Sequence, residues 1–405
     1  MSPQNYTQDP AVGAAELLRR FGMAMLGLAL PCAAFYSRRA AILLLPLGGI
    51  LVFMGTVIDP SEPIGARLRS FAQGGRTMIA LGLGLWAAAT IAWSPFPQLS
   101  AERLYNTAGV ALVAAGAMAA IPRRMRAPVL YFLPIGAFAA VVAACVLALE
   151  ARGAFRTGLG YDPVLAVRGA AAIALLTPVA LGWLLSRDRA PEAIALGVSV
   201  LCATFVLEDA ASIAVAIVTI VAFVFARIAQ RPGVLLLGAL GAALVLIAPL
   251  LPFAIQPFAR SLGFDDVSAL MTGLSESVVR EGARLITGHG LETTPRAISA
   301  GILPMMQSPP LIVALWYDLG VLGALAIATL IATRSYGSDH SANVAAAEIA
   351  LIWAALAQMF FGIAAVQAWW MSSFAAALIA LRAIAFGQFR TKRPRVRLFG
   401  QRQAE

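Results

Sequence analysis

Two arginines four residues apart, Arg280 and Arg284, stand in a long polar stretch of an otherwise apolar chain. Residues 265–288 predict a helical segment, on which positions i and i+4 share a face. Like charges at that spacing repel by roughly 0.2–0.5 kcal/mol, so the pair calls for carboxylates or an anionic ligand opposite. Glu276 and Glu281 are the nearby carboxylates. The pattern therefore indicates either local ion pairing or a site for an anion.

A histidine, His289, follows directly in a Gly-His-Gly turn. A neutral imidazole in such a turn can take a proton from a hydroxyl group, which is what a general base does. The alternative is a solvated turn residue without a chemical role. His289 is therefore a candidate catalytic residue, with the solvated turn as the competing interpretation.

The chain contains no pattern typical of a metal or nucleotide site. His289 and His340 are its only histidines and are predicted on opposite sides of a membrane, which excludes a histidine metal cluster. Cys32, Cys145 and Cys202 fall within apolar runs, so neither a disulfide framework nor a zinc motif is available. Walker and nucleophile-elbow motifs are missing from the sequence. The sequence predicts no metal and no cofactor.

The composition is that of a membrane protein. Hydrophobic residues make up 60% of the chain, charged residues 12%, and the mean hydropathy is +0.83, whereas soluble domains carry roughly 25% charged residues. The apolar runs approach the ~20 residues with which a helix crosses a bilayer. We expect an all-α, polytopic membrane bundle, a single domain over residues 1–405. The predicted spans are 21–36, 40–58, 77–93, 104–121, 128–149, 169–185, 193–207, 210–226, 234–254, 310–333, 344–366 and 369–387.

The charges predict the orientation of these twelve spans. An even number puts both termini on one side, and the basic tail, residues 388–405, assigns that side to the cytoplasm. This arrangement places 19 of the 30 Lys and Arg residues on the cytoplasmic side and 10 on the other. The net charge of +10 then reflects topology and contact with anionic membrane lipids. Nucleic acid is excluded as a partner, because the basic residues are dispersed and no binding motif accompanies them.

A loop of more than fifty residues, 255–309, is predicted on the external side. Connections between helices are usually a few residues long, so this one is expected to fold by itself or to shape a site. It carries Arg280, Arg284, Arg296 and His289. Its length makes it the functional candidate.

Several polar or small residues beside the predicted spans allow specific expectations. Glu208 and Asp209 separate two short spans and either line a polar cavity or form an exposed turn. Gly320 and Gly323 are expected to serve helix packing, because small residues let helices approach closely. Glu348, near the start of its span, is expected at the membrane interface.

Three segments follow a recognisable order. They are "ATIAWSPFPQLSAERLYNTAGVALVAAG" at 89–116, "REGARLITGHGLETT" in the long loop, and "LWYDLGVLGALAI" in the helix after it. Together they resemble the membrane domain shared by O-antigen ligases and O-antigen polymerases. The resemblance covers most of the chain, although each motif is short.

The resemblance implies transfer of a glycan from an undecaprenyl diphosphate carrier to an acceptor hydroxyl. In that family the transfer takes place on the outer, periplasmic face of the inner membrane, without metal or nucleotide. Such a reaction needs cations for the diphosphate and a base near the acceptor. External arginines suit the first role through bidentate phosphate contacts, and Arg280, Arg284, Arg296, Arg168 and Arg103 are available.

The base is where the chain departs from this family. The family's His-Asn pair falls here on Pro309 and Pro310, and His289 lies far from that position, which favours the solvated-turn interpretation. A non-catalytic protein that binds the lipid-linked glycan, or a partner in its assembly, is therefore an alternative. A transporter or permease is a third alternative, without an internal repeat to support it.

Overall fold

The computed structural model describes residues 10–59, 63–122, 125–154, 161–261, 265–280, 282–303, 309–336, 341–364 and 366–387. Regular structure within these ranges is helical, apart from one isolated bridge between Met125 and Gly387. The all-α prediction is confirmed. The basic tail 388–405, Glu281 and His340 lie outside the described residues.

Eighteen α-helices follow one another along the described residues. The first nine are α1 (Pro10–Ala24), α2 (Leu30–Ala33), α3 (Ala40–Ile58), α4 (Ile64–Ala72), α5 (Gly75–Thr90), α6 (Pro97–Ala120), α7 (Ala127–Leu130), α8 (Phe132–Ala151) and α9 (Pro163–Ser186). The others are α10 (Ala190–Val206), α11 (Ala210–Ile247), α12 (Leu251–Ser261), α13 (Asp265–Arg280), α14 (Gly282–Thr287), α15 (Thr293–Ser299), α16 (Leu311–Tyr336), α17 (Ala342–Phe360) and α18 (Ala368–Ala385).

Among the described residues, eight helical segments are long and apolar enough to cross a membrane. A bilayer core of ~30 Å takes about 20 helical residues, so the chain is an integral membrane protein. The eight segments are Ala40–Ile58, Gly75–Trp93, Ala127–Ala151, Pro163–Ser186, Ala210–Ala254, Leu311–Ser335, Ala342–Phe360 and Ala368–Ala385.

The longest of these segments folds back on itself. Gln230, inside α11, has φ 51° and ψ −134°. A Cβ atom on Gly233 would lie 3.3 Å from the carbonyl oxygen of Phe225 and 3.4 Å from Cα of Ala226. Residues seven or eight apart in a straight helix are separated by about 10–12 Å along the axis. The chain therefore reverses at Gln230, and α11 consists of two helices packed side by side.

The packed centre of the bundle is formed by α9, α17 and α18, whose facing surfaces are rich in alanine. At Gly182 of α9, a Cβ atom would lie 2.7 Å from Cβ of Ala347 and 3.0 Å from the Asn343 carbonyl oxygen. Helices in lipid gain their association energy from such close backbone approach. Gln358, fully buried, joins α9 to α18 by donating to the Ala171 carbonyl oxygen at 3.0 Å and accepting from Trp370 Nε1 at 2.7 Å.

The bundle has two polar ends. At one, called the Gly387 end, Met125 N donates to the Phe386 carbonyl oxygen at 3.1 Å. At the other, the His289 end, Trp93 Nε1 donates to the Gly288 carbonyl oxygen at 3.1 Å. Helices α5, α6, α16 and α18 run between these two ends.

The predicted loop 255–309 contains helices α12 to α15 within its described part. Within the single helix expected over 265–288, the described residues Asp265–Arg280 and Gly282–Thr287 are helical, and Glu281 between them lies outside the described residues. Glu348 is buried inside the protein and pairs with Arg334 in the last turn of α16, and its position at the membrane interface stays a prediction.

Candidate functional site

A break in α16 at Gly320 creates the candidate site. Gly320 has φ 66° and ψ −165°, a region of backbone conformation almost restricted to glycine, which costs a residue with a Cβ atom about 1–3 kcal/mol. A Cβ atom here would also overlap the Ile286 carbonyl oxygen and lie 2.8 Å from Gly288 N. Gly320 therefore lets Ile286 and Gly288 approach its backbone closely, as its expected packing role requires. It also permits the break, which was not expected.

The break leaves three successive carbonyl oxygens for partners outside α16. In a continuous helix each would accept from the amide four residues later. The loop and α5 supply the donors instead. His289 N donates to Tyr317 O at 2.9 Å, Gly290 N to Asp318 O at 2.9 Å, and Trp86 Nε1 to Leu319 O at 2.9 Å.

The carboxylate of Asp318 fixes the chain that follows the turn. One oxygen accepts from Thr294 N at 2.8 Å and Thr294 Oγ1 at 2.7 Å, and the other accepts from Glu292 N at 3.0 Å. Asp318 is 6% exposed, so these three hydrogen bonds replace those that water would otherwise make. They also satisfy amides at the start of α15 that have no partner within the helix.

The start of α6 and the residues before it hold the turn from the other side. Four hydrogen bonds connect this segment internally and to residues 288–292. They are Trp93 Nε1 to Gly288 O at 3.1 Å, Ser94 Oγ with Ser100 Oγ at 2.9 Å, Ser100 Oγ to Leu291 O at 2.6 Å, and Arg103 to Glu292 Oε1 at 2.6 Å. Three sequence segments, 93–103, 288–294 and 316–320, therefore meet in one place.

His289 is held rigidly within this cluster. Its ring stacks on Tyr317, with the ring centres 4.0 Å apart and the planes 9° from parallel. Nδ1 lies 3.0 Å from the Tyr317 carbonyl oxygen. A carbonyl oxygen only accepts, so Nδ1 carries the hydrogen, and Nε2 is the proton acceptor of the neutral ring. His289 is thus a half-buried, oriented imidazole, not the solvated turn residue of the competing interpretation.

Of the predicted arginines, Arg103 forms an ion pair with a carboxylate of the turn, at 2.6 Å from Glu292 Oε1. Its side chain is 23% exposed and that of its partner Glu292 is 14% exposed. The pair holds α6 against the turn. Its charge is already neutralised, which argues against the substrate-binding role expected for Arg103.

Arg284 and Arg296 flank the turn along the chain. The carbonyl oxygen of Arg284 accepts from Gly288 N at 2.7 Å, and Arg296 lies in α15, which begins directly after the turn. Arg284 is half-buried, whereas Arg296 and Arg280 are exposed. Among the side chains that the structure describes, none of the three has a carboxylate within 4 Å. No carboxylate among the described side chains neutralises these cations, as a site for an external anion requires.

Arg168 lies at the same end of the bundle, in α9. Its guanidinium carbon is 5.0 Å from the centre of the Trp369 ring. Trp369 stands one turn beyond Val366, which packs against Leu291 and Leu319 beside the turn. The Arg168 guanidinium on α9 and the Trp369 ring on α18 therefore lie near the cluster, although neither helix contributes to the turn itself.

Asp162, before α9, forms a second feature of this end. The Arg38 guanidinium, hydrogen-bonded to it at 2.9 Å, holds the pKa of that carboxyl below its ordinary value. Asp162 Oδ1 also accepts from Val164 N at 2.9 Å and so caps α9. The ion pair links the start of α9 to the segment between α2 and α3.

Glu208 and Asp209 form a turn that also borders a cavity, so both interpretations describe part of the finding. Glu208 pairs with Arg152, and Asp209 caps α11 by accepting from Ser212 N at 2.8 Å. The cavity, about 200 Å³, is lined by Tyr161, Pro163, Ala166, Val167, Leu207, Glu208, Asp209 and Ser212. Ser212 is 3% exposed, and its hydroxyl has no hydrogen-bond partner among the described residues.

Sequence reasoning missed the residues that organise the turn. The sequence alone assigned no role to Asp318, Thr294, Glu292 or Ser100. A carboxylate inside an otherwise apolar helix is the signal that could have identified the site, because such groups are costly in a membrane without a function.

Fold and site together define an integral membrane protein, all-helical in its described part, with a polar site built on a broken helix at one end of the bundle. No protein-family model, no curated protein and no solved structure matches the chain. Within the described residues, no group of three His, Cys, Asp or Glu side chains is arranged to hold a metal ion.

Proposed function

We propose that this protein transfers a glycan from an undecaprenyl diphosphate carrier to an acceptor hydroxyl on the periplasmic face of the bacterial inner membrane. The observation that carries the proposal is that segments 93–103, 288–294 and 316–320 are in contact. Trp93 and Gly288, for example, are hydrogen-bonded although they are 195 residues apart in the sequence. These segments contain the motifs that resemble O-antigen ligases and polymerases. Separate motifs that assemble into one polar cluster support a shared function.

In the proposed reaction His289 acts as the general base. Nε2 takes the proton of the acceptor hydroxyl while the hydroxyl oxygen bonds to the anomeric carbon of the glycan. The bond from that carbon to the diphosphate oxygen breaks, and the oxygen keeps the electron pair. Attack opposite the leaving group inverts the anomeric carbon. Undecaprenyl diphosphate is released.

The leaving diphosphate gains negative charge and needs cations placed in advance. Arg284 and Arg296 flank the turn that carries His289, and Arg280 is the last described residue of α13. Guanidinium groups contact phosphate oxygens in pairs. We assign the diphosphate to these three side chains, with Arg168 and the Trp369 ring assisting from α9 and α18. Arg103 holds the turn.

The proposal includes twelve spans with both termini in the cytoplasm. The reversal at Gln230 supports it, because one 45-residue segment then supplies two spans. Three further apolar or mixed stretches, α1 with α2, α6 and α10, overlap the remaining predicted spans. The orientation rests on the distribution of Lys and Arg residues, and it places the His289 end in the periplasm.

The test compares envelope and secreted glycans, resolved by chain length, in a deletion strain. Complementing alleles are wild type, Arg284→Gln/Arg296→Gln, and the control Arg39→Gln, which removes an exposed arginine at the same end of the bundle. Membrane levels are equalised by immunoblot. We expect deletion to shorten or detach a glycan, wild type and the control to restore it, and the double variant to fail. Glycans unchanged by deletion, while the gene is expressed, would reject transfer.

A second candidate function is binding of the lipid-linked glycan without transfer. It is favoured by Pro309 and Pro310, which occupy the position of the family's His-Asn pair. This alternative predicts that deletion changes glycan length while substitution of His289 has no effect. The carrier-linked glycan would still co-purify with the protein.

A further inference from the structure

The Gly387 end of the bundle contains a second cluster of cations, away from the His289 site. Arg334, in the last turn of α16, forms an ion pair with Glu348 of α17. Arg76, in the first turn of α5, donates from Nη2 to the Thr333 carbonyl oxygen at 3.0 Å. Three helices therefore bring charged side chains to one point.

Arg382 completes this cluster from the last turn of α18, where it lies 4.4 Å from the centre of the Phe386 ring. Both Arg76 and Arg382 are close enough to interact electrostatically with Arg334 and with Glu348. Among the described side chains, three positive charges thus face one carboxylate, an excess of two. Arg76 also stands at the positive end of the α5 dipole, where a cation is unfavourable.

This excess of positive charge lies where the apolar helices end. Arg76 and Arg334 are both half-buried, and the Arg334 side chain is 32% exposed. Partial burial strengthens the repulsion between like charges, because less water screens them. A bound anion would remove that repulsion.

The surface next to the cluster indicates what kind of anion fits. Beyond Arg76, α5 is exposed over most of its length. Its row of large exposed apolar side chains, Met78 at 60%, Leu81 at 54% and Leu85 at 72%, lies on the face of α5 opposite Arg76. A soluble phosphate would use the cations but not this row. A phospholipid would contact both, because its phosphate lies at the depth where the helices end and its acyl chains extend along the apolar helix.

We propose that Arg76, Arg334 and Arg382 bind the phosphate of an anionic phospholipid whose acyl chains lie along the exposed face of α5. Guanidinium groups bind phosphate oxygens in a bidentate manner, and basic pockets between membrane helices suit anionic headgroups. Glu348 keeps the cluster assembled through Arg334. The site is independent of glycan transfer.

The experiment uses the full-length protein purified in a non-ionic detergent. It is mixed with equal amounts of phosphatidylglycerol and phosphatidylcholine, and the retained lipids are quantified by mass spectrometry over a range of lipid concentrations. We expect the wild type to retain phosphatidylglycerol preferentially. Each arginine removed should weaken its binding about fivefold, since one basic residue near an anionic surface contributes about 1 kcal/mol. Arg76→Gln/Arg382→Gln should therefore weaken it by about 30-fold.

The matched control is Arg39→Gln, an exposed arginine at the His289 end, which should retain the lipid as wild type does. Every variant carries the same basic tail, so the tail's general attraction for anionic lipid cancels. Thermal unfolding verifies that each variant is folded. A wild type without preference, or a double variant whose preference equals that of the wild type, would overturn the proposal. Displacement of the lipid by an equal concentration of glycerol phosphate would reassign the site to a soluble anion.

Discussion

At the scale of single residues, the site depends on which partner each charged or ionisable side chain has. His289 is oriented by Tyr317 through a stacked ring and a carbonyl oxygen, and the carbonyl oxygen sets the tautomer. Arg103, by contrast, is occupied by Glu292. The same end of the bundle thus contains one cation that builds the site and others, such as Arg284, that remain available to a ligand.

Arg103 provides a prediction at this scale. Arg103→Gln leaves the 14% exposed Glu292 carboxylate without its cation, and we expect a loss of about 1–3 kcal/mol in unfolding free energy. Arg103→Gln/Glu292→Gln should recover part of that loss, because no charge is then left unpaired. Thermal unfolding of the purified variants measures both effects. A single variant of wild-type stability that nevertheless loses glycan transfer would show instead that Arg103 contacts the substrate.

At the scale of secondary structure, the decisive element is the broken helix α16. The break at Gly320 turns three backbone carbonyls outward, and the 288–294 turn and α5 use them. An irregular backbone at membrane depth persists only where such partners satisfy it. The break and the turn therefore depend on each other.

Gly320→Ala tests that dependence. The new Cβ atom would meet the Ile286 carbonyl oxygen in a backbone conformation with φ 66°, and we expect a loss of more than about 2 kcal/mol in unfolding free energy. The matched control is Gly109→Ala in α6, where no atom lies within 4 Å of the added Cβ. That change should leave stability unchanged or raise it by about 0.5–1 kcal/mol. Equal stability of the two variants would contradict the account of the break.

At the scale of the whole molecule, the His289 end and the Gly387 end are expected on opposite faces of the membrane. Ser299→Cys in α15 and Ser70→Cys in α4 place single exposed thiols at the two ends, in a chain whose three native cysteines are replaced by alanine. A membrane-impermeant maleimide should label position 299 in intact spheroplasts and position 70 only after permeabilisation. Labelling of both positions from the same side would contradict the twelve-span topology.

Most helix positions could be predicted from the local pattern of apolar residues in the sequence, whereas most of the site could not. Apolar runs identified where the helices lie, and the polar residues 227–233 correctly separated the two halves of α11. Gly320 could not be recognised as a break, because its neighbours read as one continuous apolar helix. Its conformation is decided by the docking of Gly288, from a segment about thirty residues earlier. His289 and Arg284 could be named from type and position, whereas the Tyr317 carbonyl that orients His289 could not.

The central claim is that His289, held by the broken helix, is the base for transfer of the carrier-linked glycan. The most direct measurement compares His289→Gln with His289→Ala and wild type for two quantities, the transferred glycan in the envelope and the carrier-linked glycan that co-purifies with the protein. Glutamine retains an N–H group that can donate to the Tyr317 carbonyl oxygen but has no basic nitrogen.

The account predicts that His289→Gln melts as wild type does, keeps the carrier-linked glycan bound, and loses transfer by about 100-fold or more, the usual contribution of a general base. His289→Ala should lose transfer and some stability as well. Full transfer by the folded His289→Gln variant would contradict the claim. It would leave this end of the bundle as a binding site rather than an active site.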